Sequence, residues 1–188
     1  MGILGFTCGS NGLGVGDIAG YSSAASSTMV IGHALGKLTQ LLKTSNEDNT
    51  IKKSFCIGHS LGAHVCGFAG KTTQLDGILG LDPAGPIFHD NMEDARLSKG
   101  DAKFVQALHI DAGELGIDVP IADQDVYVNT GKNQPLCQGL VLESVCSHTS
   151  FTLNFLPKIW GQADERDGCF ARTKCSSETQ AMVNHFCF

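Results

Sequence analysis

The stretch Ser54-Phe-Cys-Ile-Gly-His-Ser-Leu-Gly-Ala-His64 joins a compact apolar run to a helix through a very short turn. Ser54 to Ile57 form a compact apolar run that reads as a strand and stops abruptly at Gly58. After Ser60 the residues Leu61, Val65, Phe68 and Ala69 fall at helical spacing. Gly58-His59-Ser60-Leu61-Gly62 fits G-x-S-x-G, and it lies between a strand and a helix, the context that gives this pattern meaning. The two glycines permit a turn tight enough to project the Ser60 hydroxyl out of a sheet. The helix N-terminus behind it offers backbone N–H groups and a positive dipole end to a developing oxyanion. The Leu61 N–H is the first such donor. The plainer alternative is a glycine-rich strand-to-helix turn whose serine merely caps the helix.

Outward from this turn, Gly77-Ile-Leu-Gly-Leu81 is a second buried strand, ending at Asp82-Pro83, and Phe104-Val-Gln-Ala-Leu-His-Ile110 is a third. Strands alternating with helices predict an α/β fold with a mostly parallel sheet. Upstream, Gly2 to Phe6 read as a short strand and Cys8 to Gly16 as a glycine-rich loop. From Ser27 onward Val30, Ile31, Ala34, Leu35, Leu38, Leu41 and Leu42 recur at three- and four-residue steps, one face of a helix that ends before the polar loop Thr44 to Thr50. Beyond Asp111 the pattern loosens into loops, a short strand Asp125 to Val128, a cysteine-bracketed loop, and a helix from Thr149 to Trp160.

A serine hydroxyl becomes a useful nucleophile only when a histidine takes its proton, and that histidine needs a carboxylate to fix its tautomer. With this kind of turn the chain order is serine, acid, histidine, which excludes His33 and His59. Asp82, at the C-terminal end of a strand where open α/β sheets gather their functional groups, is the best-placed acid. Asp76, Asp90 and Asp111 are alternatives. Among the later histidines, His64 lies in the helix, His89 close to the acid, His109 within a strand and His185 beside a terminal cysteine. His148 follows Cys146-Ser147 late enough to reach back over the sheet.

The chain has 188 residues, long enough for one domain with a substantial core. Its net charge of −6 and the absence of any Lys/Arg cluster longer than Lys52-Lys53 argue against nucleic acid or an anionic membrane surface as the main partner. No apolar stretch approaches the about 20 residues of a spanning helix. Eight cysteines without a C-x-x-C pair favour a disulfide-permissive, secreted and extracellular setting. The opening Met1-Gly-Ile-Leu-Gly-Phe6 lacks the basic start and apolar run of a signal peptide. A missing N-terminus is therefore expected.

At this point the residues resemble a known family. Ile57 to His64, Gly80-Leu-Asp-Pro-Ala-Gly-Pro-Ile-Phe88, Asp101 to Asp111 and Cys146-Ser-His148 are similar, in order, to the pancreatic-type animal lipases. The likeness covers most of the chain and implies an α/β-hydrolase fold, with Ser60 as nucleophile, Asp82 as acid and His148 as base. It implies an acyl-enzyme mechanism on lipid esters, with a lipid substrate at a membrane, micelle or droplet interface. It also implies a disulfide between Cys137 and Cys146 closing a lid over the site, here a very short one, with Leu140, Val141 and Leu142 as an apolar rim. Three buried loop residues are the alternative reading of that trio. Short loops here resemble the phospholipases of this family that cut the sn-1 ester, as in wasp venoms, more than strict triacylglycerol lipases. Cys8, Cys56, Cys66, Cys169, Cys175 and Cys187 could pair in several ways, and Cys56 and Cys66 could be buried thiols.

The chain also departs from the family. Family members carry strands and a His-Gly oxyanion loop ahead of this region, and only 59 residues precede Ser60. The expectation is a partial catalytic domain over 1–188 that lacks its N-terminal strands, its second oxyanion donor and a C-terminal β-sandwich. The arginine expected two residues after the base is Ser150. The family's calcium position would fall near Glu93, Arg96 and Asp101, where one expected carboxylate is Ser98, so no cofactor is expected. Two functions compete: a secreted lipase or phospholipase, and a non-catalytic lipid-binding or yolk-type relative or inactive fragment. Retention of all three triad residues favours the first.

Overall fold

The structure is a computed structural model that describes residues 18–45, 51, 53–89, 93–152 and 154. Helix α1 spans Ile18–Thr44 and is followed by strand β1, Phe55–His59. Helix α2, Leu61–Thr72, then leads to β2, Gly77–Leu81, with β3 at Val105–His109 and β4 at Gln124–Tyr127. The four strands form one parallel sheet in the order β1-β2-β3-β4. Each strand therefore ends at the same edge, and the loops that leave Ser60, Asp82 and Ile110 open there. Four of the five strands expected from the sequence, those beginning near Ser54, Gly77, Phe104 and Asp125, are present to within one or two residues, and the α/β, parallel-sheet expectation is met.

The two faces of the sheet are covered differently. Cys56, Ile78, Val105 and Ala107 face α2, where they pack with Ala63, Cys66, Ala69 and Leu97 in the main core. On the other face Leu81, Leu108 and Val126 pack with Ile110 and Val128, and Phe151 closes over them. Phe55 and Ile57 on β1, which has no second neighbour among the described residues, stay exposed.

Helix α1 corrects the sequence reading in two respects. It starts at Ile18 instead of Ser27, and it does not bury the face expected. Val30, Leu41 and Leu42 are exposed, Ala34 is exposed, and Ile31, Leu35 and Leu38 are only half-buried. The buried residues are Ala25, Thr28, Gly32 and Gly36. A methyl group at Gly32 would overlap Phe68 Cβ, and one at Gly36 would overlap Thr72 Cβ. The helix therefore meets α2 along small residues at close backbone approach, which a count of apolar positions does not register.

For Cys56 and Cys66 the structure decides between the two readings left open: they form a disulfide between β1 and α2 and are not thiols. The strand Gly2 to Phe6, the cysteines Cys8, Cys169, Cys175 and Cys187, Asp90, His185 and the end of the helix to Trp160 lie outside the described residues. Within them, Glu143–Val145 forms a helical turn that runs into a π-helical stretch, Cys146–Phe151. No described helix is long and apolar enough to cross a membrane.

Candidate active site

Ser60 stands between β1 and α2 with φ 55° and ψ −123°, a backbone conformation few side chains adopt. Its N–H donates to the Leu81 carbonyl at 3.0 Å, which extends the β1–β2 pairing by one bond before the chain turns. The hydroxyl makes no cap hydrogen bond to the helix, so the plain capping role is not what this serine does. Its side chain is half-buried at the sheet edge. Leu61 is the first helical residue, and its N–H, like all first-turn donors, has no intrahelical acceptor.

Asp82 leaves β2 with φ 44° and is wholly buried. Three donors meet its carboxylate: Ile110 N–H at 2.8 Å and Asp111 N–H at 3.1 Å on Oδ1, and the His148 ring at 2.8 Å on Oδ2. A carboxylate oxygen only accepts, so His148 Nδ1 carries the proton, and in the neutral ring Nε2 is then the nitrogen with the lone pair. A side chain at Gly116 would collide with Asp82 Oδ1, so the absence of one makes room for the carboxylate. His148 lies in the π-helical stretch and is nearly buried. Its ring centroid is 4.8 Å from that of His59, and its carbonyl accepts from His59 Nε2 at 2.7 Å. The base is thus seated against the residue that immediately precedes Ser60.

The alternatives sort cleanly. Asp76 is at the opposite end of the strands, bonded to Ser54 N–H and Lys103, and these donors hold its carboxyl down at about 2. Asp111 is near the site but turns elsewhere. One oxygen shares a short bond with Ser144 and accepts from Leu115 N–H, while the other has no partner among the described residues. Burial pushes its carboxyl up. His33 is exposed on α1, and His89 pairs with Asp118. His109 is fully buried between Asp125 and the Ile117 carbonyl. His64 is buried against Phe88, donating to the Ala84 carbonyl at 2.9 Å and accepting from Leu97 N–H at 3.1 Å. It locks the turn after Asp82 to α2, and burial pulls it down to about 4.

The loop before His148 is closed by a Cys137–Cys146 disulfide, as the resemblance implied. Leu140, Val141 and Leu142 are exposed, Val141 completely, so the buried-loop alternative fails. Below the loop, Gln134 is wholly buried. Its side-chain amide donates to the carbonyls of Ile110 and Val128, and its N–H donates to Ser147 Oγ at 3.1 Å. Ser150 is exposed.

Glu93, Arg96 and Asp101 do not fit a calcium ion. Both Asp101 oxygens are taken, one by the Lys71 ammonium and one by Ser98 N–H. Ser98 Oγ donates to the Glu93 carbonyl, and Arg96 points its guanidinium at the Leu97 carbonyl. A cation there would have to displace an ammonium.

Sequence comparison agrees with this geometry: the lipase family model matches residues 13–152. The chain belongs to the lipase family. Among this family's curated members, a phospholipase A1 of Vespula squamosa is 43% identical over 135 residues, covering 69% of this chain and 45% of that protein. Phospholipase A1 2 of Polistes dominula is 42% identical over 139 residues, covering 71% and 42%. A phospholipase A1 of Vespa crabro is 39% identical over 138 residues, covering 70% and 45%. The chain thus spans under half the length of these lipase relatives.

The sequence reading missed three contributors to the site: His59, Gly116 and the Gln134 brace. His59 was set aside because chain order excluded it as the base, and nothing in a single sequence points a strand residue at a loop far downstream. Gly116 carried no turn pattern to mark it.

Proposed function

We propose that residues 1–188 belong to the catalytic domain of a secreted lipid esterase of phospholipase A1 type. Ser60 Oγ attacks the ester carbonyl carbon as its proton passes to His148 Nε2, while Asp82 holds Nδ1–H and stabilises the imidazolium. The Leu61 N–H, at the positive end of α2, donates to the carbonyl oxygen as it gains charge. The C–O bond to the leaving alcohol breaks, and the alcohol takes the proton from Nε2. Water, deprotonated by the same imidazole, then releases the fatty acid and frees Ser60. The supporting observation is the buried Asp82–His148 pair at the strand edge, tied through His59 to the strand that ends at Ser60 with its positive φ. The similarity to phospholipases A1 supports the substrate class. The exposed apolar trio Leu140 to Leu142 supports contact with a lipid surface, and two disulfides support an extracellular setting.

The test is an organophosphate reaction followed by peptide mapping, together with hydrolysis of phosphatidylcholine vesicles and of a triacylglycerol emulsion. Label on Ser60, and phospholipid hydrolysis lost in Ser60→Ala, support the reading. A folded chain that takes no label and cleaves neither lipid ends it, and preference for the emulsion would replace the phospholipase assignment with a triacylglycerol lipase.

A further inference from the structure

His59 is the last residue of β1 and sits one position before Ser60, yet its side chain serves a residue 89 positions away in the chain. The His148 carbonyl can only accept, so the 2.7 Å contact requires a proton on His59 Nε2. His148 is therefore held at two separate points, its ring by Asp82 on Nδ1 and its backbone by His59. Asp82 fixes the tautomer and one direction of the ring, and the Cys137–Cys146 disulfide and the Gln134 N–H to Ser147 Oγ bond hold the π-helical stretch to its own loop, but none of these contacts reaches the strand that ends at Ser60. The His59 bond ties that stretch to the strand carrying the nucleophile. The two imidazole rings are tilted by 42° with centroids 4.8 Å apart, so the same contact brings a second ring against the one that becomes positively charged during acyl transfer.

We propose that His59 is a positioning residue of the hydrolytic site, its Nε2–H setting His148 relative to Ser60 by a hydrogen bond that bypasses Asp82. The inference rests on the esterase reading above. The neutral Nε2–H form is the one that fills this role, because a second positive ring would oppose the imidazolium. Burial, and next the neighbouring His148, pull His59 below the usual imidazole value, which keeps it in that form. Positioning errors of about an ångström between reacting groups cost up to about 100-fold in rate. A fall in kcat of roughly 10- to 100-fold is accordingly expected when the donor is removed.

The experiment compares the full chain with His59→Phe, which keeps a ring and loses the donor, and His59→Gln, whose amide restores an N–H at similar reach. Thermal unfolding establishes that each variant folds. Kinetics of organophosphate reaction at Ser60 and of hydrolysis of a soluble ester give kcat and KM, and histidine ring NMR of the parent reports the His59 tautomer. The expected result is a bonded Nε2–H at His59, a fall in kcat with KM little changed in His59→Phe, and recovery of most of the rate in His59→Gln. Equal rates in a folded His59→Phe, or a proton on Nδ1 of His59, would overturn the proposal. A parent chain that neither hydrolyses nor reacts overturns the esterase reading itself, and His59 is then a structural contact only.

Discussion

Gly58 approaches the backbone carbonyl of Gly62 so closely that any side chain on Gly58 would overlap it, whereas nothing lies within 4 Å of the side-chain position of Gly62. The two glycines of the motif are thus not equivalent. Gly58→Ala should prevent the turn from closing, giving a chain that fails to fold or has lost several kcal/mol. Gly62→Ala should be neutral or stabilising by up to about 1 kcal/mol, because Gly62 lies in the first turn of a helix. Denaturant unfolding of the two variants checks this; equal destabilisation would contradict it.

Asp82 can lose its charge without losing its shape. Asp82→Asn retains an oxygen for Ile110 and Asp111 N–H, but faces the ring with an amide and favours the wrong tautomer of His148. Hydrolysis should fall by roughly 10⁴-fold, as for such an exchange in a serine-histidine-aspartate triad, while the melting temperature moves little. Gly116→Ala should reduce both, since its methyl displaces the carboxylate itself.

The His64 imidazole is neutral in the folded protein, and burial lowers it from 6.5 to about 4. Its folded value lies below its unfolded value. The stability it contributes is complete above pH 6.5 and is lost as the pH falls towards 4, by at most roughly 3 kcal/mol. Unfolding measured across this range should show that decline, and His64→Gln should flatten it. A parent chain equally stable at both ends of the range would show that His64 is not held neutral.

Val141 is completely exposed at the tip of the disulfide-closed loop. Val141→Asp should therefore change stability by no more than about 0.5 kcal/mol. It should weaken binding to phosphatidylcholine vesicles and slow hydrolysis there, with cleavage of a soluble short-chain ester unchanged. Sedimentation with vesicles separates the two effects. Unaltered vesicle binding would remove the loop from the lipid contact.

Legibility tracked distance along the chain. The strands at Phe55 and Gly77 could be read because a run of apolar residues stopped by glycine or by Asp82-Pro83 is a local signal, and those at Val105 and Gln124 because short stretches rich in Val, Leu, Ile and Tyr stand between polar loops. The elbow could be read because strand, turn and helix are contiguous. Asp82 followed from its place at a strand end, and His148 was singled out by family resemblance more than by physics. The α1 face was misread because Gly32 and Gly36 contribute by lacking side chains, and an apolar count gives them no weight. Cys56 and Cys66 were ambiguous because pairing depends on how a strand and a helix lie against each other.

By itself, then, the order of residues determined the strand-turn-helix unit, the alternation that makes the sheet parallel, and the chemical types available to a hydrolytic centre. All of these depend on neighbours within a turn or two of chain. Only the tertiary structure decided that Asp82 and His148, 66 residues apart, share a hydrogen bond, and that His59 holds the base while Lys71 occupies Asp101. Contacts of that kind require several elements to be placed to within an ångström. Packing of the whole sheet edge sets that placement, and no short stretch of sequence encodes it.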